Sequence, residues 1–127
     1  MTIASSWIII KDRKILLIKR WNYTTFFPDH RWCPGGRAEA EETPEENVIR
    51  EVKEEVNLDF EPTELIKKGT HKDRELFRFL WNRSGNIKIQ NEEIAEYGWF
   101  NYEEASKLDL SFDYRDVIEI LHKRNII

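Results

Sequence analysis

Between Thr43 and Val56 the sequence carries a helix with both ends marked, and its apolar stripe is the strongest constraint on the fold. Thr43 is a natural N-cap, Pro44 falls on the first helical position, and Glu46 completes a Thr-x-x-Glu capping box. Val48, Ile49, Val52 and Val56 recur at helical spacing and form one apolar face. Asn57 suits the left-handed position that ends a helix. A helix of this kind must bury its stripe against a neighbouring layer.

The rest of the chain offers strands for that layer. Trp7 to Ile10 and Ile15 to Ile18 are apolar runs separated by Lys11-Asp12-Arg13-Lys14, which reads as a hairpin of two buried strands. A long loop, Trp21 to Arg31, leads to Trp32-Cys33-Pro34-Gly35-Gly36, read as a strand end in a sharp turn. After the helix, Leu58 to Lys67, Arg74 to Trp81, Ile87 to Ile89 and Tyr97 to Phe100 read as strands. Tyr102 to Lys107 and Asp113 to Lys123 read as helices, the second with Asp113 as its N-cap. The order strands, helix, strands, helix predicts an α/β fold: a mixed sheet with helices on its faces.

Composition narrows the class. With 127 residues and no visible boundary or repeat, residues 1–127 are expected to form one domain. Sixteen aromatic residues supply a core and argue against disorder. Cys33 is the only cysteine, which excludes a disulfide scaffold and fits a reducing compartment; it reads as a packed small apolar residue rather than a nucleophile. No apolar run approaches the roughly eighteen residues of a membrane span, and no secretory leader is visible, so a cytoplasmic address is expected. The net charge of -4 is unevenly spread, since Arg37 to Glu55 holds eight acids and three bases. The remainder has no broad basic face for long nucleic acid.

That acidic segment is where chemistry is expected. On the helix, Glu51 and Glu55 lie about 40° apart, with Glu54 about 60° from Glu51 on the other side. Three carboxylates sharing one edge beside a buried stripe repel one another, and a hard divalent ion such as Mg2+ relieves that repulsion. The plainer alternative is a solvated, Glu-rich surface.

The segment resembles the Nudix hydrolases, whose pattern is G-x5-E-x7-R-E-U-x-E-E-x-G-U with U a bulky aliphatic residue. This chain reads Gly36, Glu42, then Arg50-Glu51-Val52-Lys53-Glu54-Glu55-Val56-Asn57-Leu58, so the box spans 36–58. Every fixed position matches except Asn57, which stands where the family has Gly and can adopt the same positive-φ cap. The remainder is similar to small MutT-like members, in the Pro34-Gly35-Gly36 approach and in Glu93-Ile94 followed by Trp99-Phe100. The resemblance implies an α/β/α sandwich with a central mixed sheet. It implies Mg2+ or Mn2+ held by Glu51, Glu54 and Glu55 with the Gly36 carbonyl. It also implies a Glu42–Arg50 pair fixing the loop against the helix, as scaffold or as part of the catalytic machinery. The expected reaction is hydrolysis of a nucleoside diphosphate linked to another group. The base that activates water would be Glu51 or Glu54, or else Glu93 or Glu96 on a later loop, where plain surface charge is the alternative.

Substrate contacts are expected from Arg20, whose guanidinium suits a phosphate, and from Trp21, Tyr23, Phe26 and Phe27, whose rings could stack on a base or cover the core edge. A nucleoside triphosphate is the leading substrate reading, ADP-ribose or another nucleotide sugar the second. A binding module of the same fold without turnover ranks last, because Glu51, Glu54 and Glu55 are all present. A monomer or homodimer working on a small nucleotide, with no membrane partner, completes the expectation.

Overall fold

The apolar run near the start of the chain becomes the central strand of the sheet. In the computed structural model, which describes residues 2–20, 31–33, 35–56, 61–62, 64–81 and 94–127, strand β1 (Thr2–Lys11) is buried without a break from Ser5 to Ile9. Such a run must be covered on both faces. The chain reverses into β2 (Lys14–Arg20) through Asp12 and Arg13, whose φ angles are 52° and 60°. Two successive positive φ values match the twist of a tight hairpin, so Lys11 and Lys14 pair as strand residues and the turn is two residues, not four. The Arg13 guanidinium then donates to the Asn125 side chain at 2.8 Å, fastening the turn to the end of the chain.

The short strands β3 (Arg31–Trp32) and β4 (Gly35–Arg37) follow. The glycine pair was expected in a turn, yet Gly35 and Gly36 run antiparallel to Ser6 and Ser5 of β1. Lack of a side chain permits this: a Cβ on Gly35 would fall 2.2 Å from the Ser5 carbonyl oxygen. Helix α1 (Pro44–Val56) begins at the expected cap. After it come β5 (Glu64–His71) and β6 (Arg74–Trp81), an antiparallel pair, then β7 (Ile94–Phe100), α2 (Tyr102–Ser106) and α3 (Tyr114–Lys123). β6 lies parallel to β1 from Thr2 opposite Arg74 to Ile9 opposite Trp81, which makes the sheet mixed. The strands follow the order β3-β2-β1-β6-β5, with β4 against β1 and β7 against β2.

Two strand boundaries differ from expectation. The strand expected over Leu58 to Lys67 is Glu64–His71, because pairing with β6 recruits Lys68, Gly69 and Thr70 despite their weak apolar signal. The strand expected at Tyr97 starts at Ile94, which pairs with Arg20. Asn57 and the strand expected at Ile87 to Ile89 lie outside the described residues.

Alternation along β1 separates two cores. Trp7 and Ile9 meet Leu16, Phe77 and Phe79 together with Val48 and Val52 of α1. Ile8 faces the other way, with Ile15, Leu17 and Cys33 and the α3 residues Tyr114, Val117, Ile118 and Leu121. Helices therefore cover both faces, as in the expected α/β/α sandwich. Val48 and Val52 are fully buried, and each contributes about 1.5–3 kcal/mol of apolar burial that docks α1.

Asp113 departs from its expected role. It occupies the position before α3, but its side chain makes no capping hydrogen bond. It accepts instead from Arg78 Nε and Lys67 Nζ, each at 3.0 Å. Arg78 is 3 % exposed, and a buried cation requires an anion more than a helix end requires a cap.

Candidate active site

Helix α1 is closed at its start by its own cap, and two contacts hold it beside β1 and β4. Thr43 Oγ1 accepts from the Glu46 N–H at 3.1 Å, and Glu46 Oε1 accepts from the Thr43 N–H at 3.0 Å, closing the expected capping box. The Ser5 hydroxyl donates to the Pro44 carbonyl at 3.0 Å, tying the first helical turn to β1. Gly36, opposite Ser5 in the β1–β4 ladder, receives Glu51 from the helix. A Cβ on Gly36 would lie 2.6 Å from both Cδ and Oε1 of Glu51. The missing side chain therefore lets backbone and carboxylate share a space that any other residue would fill.

Arg50 secures this arrangement. Its Nε and Nη2 donate to the two Glu42 oxygens at 2.8 and 3.0 Å, a bidentate fork, and Nη2 also donates to the Arg37 carbonyl at 3.0 Å. Glu42 Oε1 in turn accepts from the Glu39 N–H at 2.9 Å. The Arg50 hydrogen bond holds the Glu42 carboxyl below the usual carboxylate range, while Glu42, Glu54 and Glu51 raise the guanidinium still further. Arg50 Nη1 faces the other way. It donates to Glu51 Oε1 at 3.1 Å and to the Glu54 oxygens at 3.2 and 3.3 Å. Burial raises the Glu51 carboxyl, and the neighbouring Glu54 adds to that effect against the pull of Arg50.

Gly36, Glu42, Arg50, Glu51 and Glu54 thus lie together through the contacts of Arg50 and Glu51. For Glu55 and Arg20 the backbone is described and the side chain is not. Glu96, expected on a loop, lies within β7 opposite Lys19, where pairing with β2 extends the strand. The β2–β7 ladder shifts register between Lys19 and Arg20. Trp21, Tyr23, Phe26, Phe27 and Glu93 lie outside the described residues. Sequence reasoning missed the Arg37 carbonyl and the Glu39 N–H, which carry no side-chain signal. The Arg50–Glu54 contact was legible as an i,i+4 pair.

The Glu51 carboxylate fills the space that a side chain on Gly36 would take, and Glu54 shares the Arg50 guanidinium with it. Among the described residues, no three His, Cys, Asp or Glu side chains converge as a metal site. The NUDIX domain model matches residues 1–121. The chain belongs to the Nudix family. It is 33 % identical over 123 residues to an ADP-ribose pyrophosphatase of Methanocaldococcus jannaschii, covering 92 % of this chain and 70 % of that protein. It is 30 % identical over 102 residues to a MutT-like protein of Streptomyces ambofaciens, covering 79 % of this chain and 63 % of the relative. The fold matches the crystal structure of a MutT Nudix hydrolase from Burkholderia pseudomallei with a TM-score of 0.81, at 24 % identity over 94 % of this chain and 97 % of that one. As a Nudix hydrolase, the chain is a pyrophosphohydrolase of nucleoside diphosphate-linked compounds, a family that generally uses divalent metals. Among the described residues no helix is long and apolar enough to cross a membrane.

Proposed function

We propose that this chain hydrolyses the diphosphate bond of a small nucleotide with Mg2+ or Mn2+ held by Glu51, Glu54 and Glu55 and the Gly36 carbonyl. The packing of Gly36 against the Glu51 carboxylate carries this reading. When bound, the cation neutralises the diphosphate and lowers the pKa of the attacking water. Glu42 and Arg50 act as scaffold: the fork between them holds the loop against α1, and Arg50 Nη1 spaces Glu51 from Glu54. Glu51 or Glu54 takes the proton from water, with Glu93 and Glu96 as the alternative bases. Arg20 meets a phosphate, and one or more of Trp21, Tyr23, Phe26 and Phe27 stacks on the base.

The leading substrate is a nucleoside triphosphate, cleaved by water at one of its phosphoanhydride bonds. ADP-ribose, cleaved to AMP and ribose 5-phosphate, is the second reading, favoured by the relative that is 33 % identical. The two are separated by product analysis across a panel of triphosphates and nucleotide sugars with and without Mg2+ or Mn2+. Glu51→Gln should lower kcat at least about a hundredfold. Turnover that needs no metal, or a fully active Glu51→Gln, would overturn the proposed site.

A further inference from the structure

Asn47 is fully buried on α1, and neither its carboxamide oxygen nor its nitrogen has a hydrogen-bond partner. Burying a carboxamide in that state costs free energy, and folded proteins rarely leave such groups unanswered. Its place on the helix suggests what answers it. Seen down the axis, Asn47 lies between Glu51, about 40° to one side, and Arg50, about 60° to the other. Glu51 is one turn further on, and residues four apart are neighbours on a helix face, so Asn47 and Glu51 are adjacent on α1. Three residues earlier, the Pro44 carbonyl is fixed by Ser5. Asn47 therefore belongs to the strip of α1 that Ser5 holds at Pro44 and that meets Gly36 at Glu51.

We propose that Asn47 is a positioning residue for Glu51: its carboxamide holds a buried water that hydrogen-bonds the Glu51 carboxylate and keeps it against Gly36. The amide donates to the water, and the water donates to the carboxylate. Buried waters are held in this way, by polar groups that lack other partners. The proposal rests on Glu51 being the working carboxylate of the proposed function.

The test uses the full chain labelled with 15N. The Asn47 side-chain amide, assigned by its loss in Asn47→Ala, should exchange slowly, show a nuclear Overhauser contact to water, and shift in Glu51→Gln but not in Glu54→Gln. Asn47→Ala should lower kcat about tenfold at unchanged KM. Asn47→Ser, whose hydroxyl can still hold the water, should recover most of the lost kcat. Tm should fall only slightly, leaving both variants fully folded at the assay temperature, because the side chain's role is to place Glu51 and not to hold the fold. An amide indifferent to Glu51→Gln overturns the proposal, as does a wild-type kcat in Asn47→Ala. So does a drop in Tm, in both variants, that accounts for the lost activity. The amide readout needs no turnover. A fully active Glu51→Gln would thus refute the proposed function separately from the Asn47–Glu51 link.

Discussion

Gly36 and Glu51 touch so closely that a single added methyl group on the glycine would stand 2.6 Å from the carboxylate. Gly36→Ala therefore displaces the end of a flexible side chain and leaves the backbone in place. The substitution should change stability by less than about 1 kcal/mol, within the range of local adjustments, yet lower kcat more than about tenfold. Gly35→Ala is the contrast, since its methyl would meet the Ser5 carbonyl oxygen at 2.2 Å, and backbone cannot yield. It should cost about 1–3 kcal/mol through overpacking. Thermal melts and steady-state kinetics on the two variants check the separation.

Arg50→Lys keeps the charge but not the fork. The ammonium cannot span both Glu42 oxygens while reaching the Arg37 carbonyl and Glu51. Loss of charge-assisted bonds at this half-buried position should cost about 1–3 kcal/mol. Amide exchange should rise in Arg37 to Glu42, read by hydrogen–deuterium exchange.

Asp113 sets a pH dependence. Burial raises its carboxyl, but Arg78 and Lys67 outweigh that effect and leave it below the usual aspartate value. A lowered folded-state pKa contributes stability that is complete above the unfolded value of about 3.9 and is lost as pH falls through the lower, folded value. In urea unfolding, Asp113→Asn should be about 3–5 kcal/mol less stable than wild type at neutral pH, because Arg78 is left buried without its anion. That gap should stay constant down to about pH 5 and narrow below about pH 4.

Cys33 should be inert in the folded chain. Burial pushes its thiol up to about 12, and the residue is 3 % exposed. A thiol reagent at pH 8 should react on the timescale of unfolding and label the chain fully in denaturant. Rapid native labelling would refute the buried placement.

What the sequence made legible was local. The α1 cap and its Val stripe lie within one short segment and were legible from spacing, and the same segment carries the Gly36, Glu42, Arg50 and Glu51 pattern by which the chain resembles the Nudix hydrolases. Asp113 looked like a helix cap because its true partners, Arg78 and Lys67, are 35 and 46 residues away. Gly35 and Gly36 looked like a turn because the feature that makes them strand residues, the close approach of Ser5 and Ser6, belongs to another strand. Asn47 resembles its charged neighbours Glu45 and Glu46 in sequence, and only the packing of the helix turns it inward.

The parallel pairing of β1 with β6 has a consequence for how the chain folds. Ser6 and Arg78 are register partners 72 residues apart, whereas the hairpin, the glycine pair and α1 all lie within the first 56 residues. As the chain leaves a ribosome, α1 and its β1 neighbours emerge while one edge of β1 is still open and Phe77 and Phe79, which complete the core beneath α1, are still to come. Long-range parallel pairing is slow, and an open edge invites other strands. The apolar run Trp7 to Ile9 is thus exposed to misassociation until synthesis has passed β6, so substitutions that delay β6 should reduce soluble yield more than they reduce the stability of the finished fold.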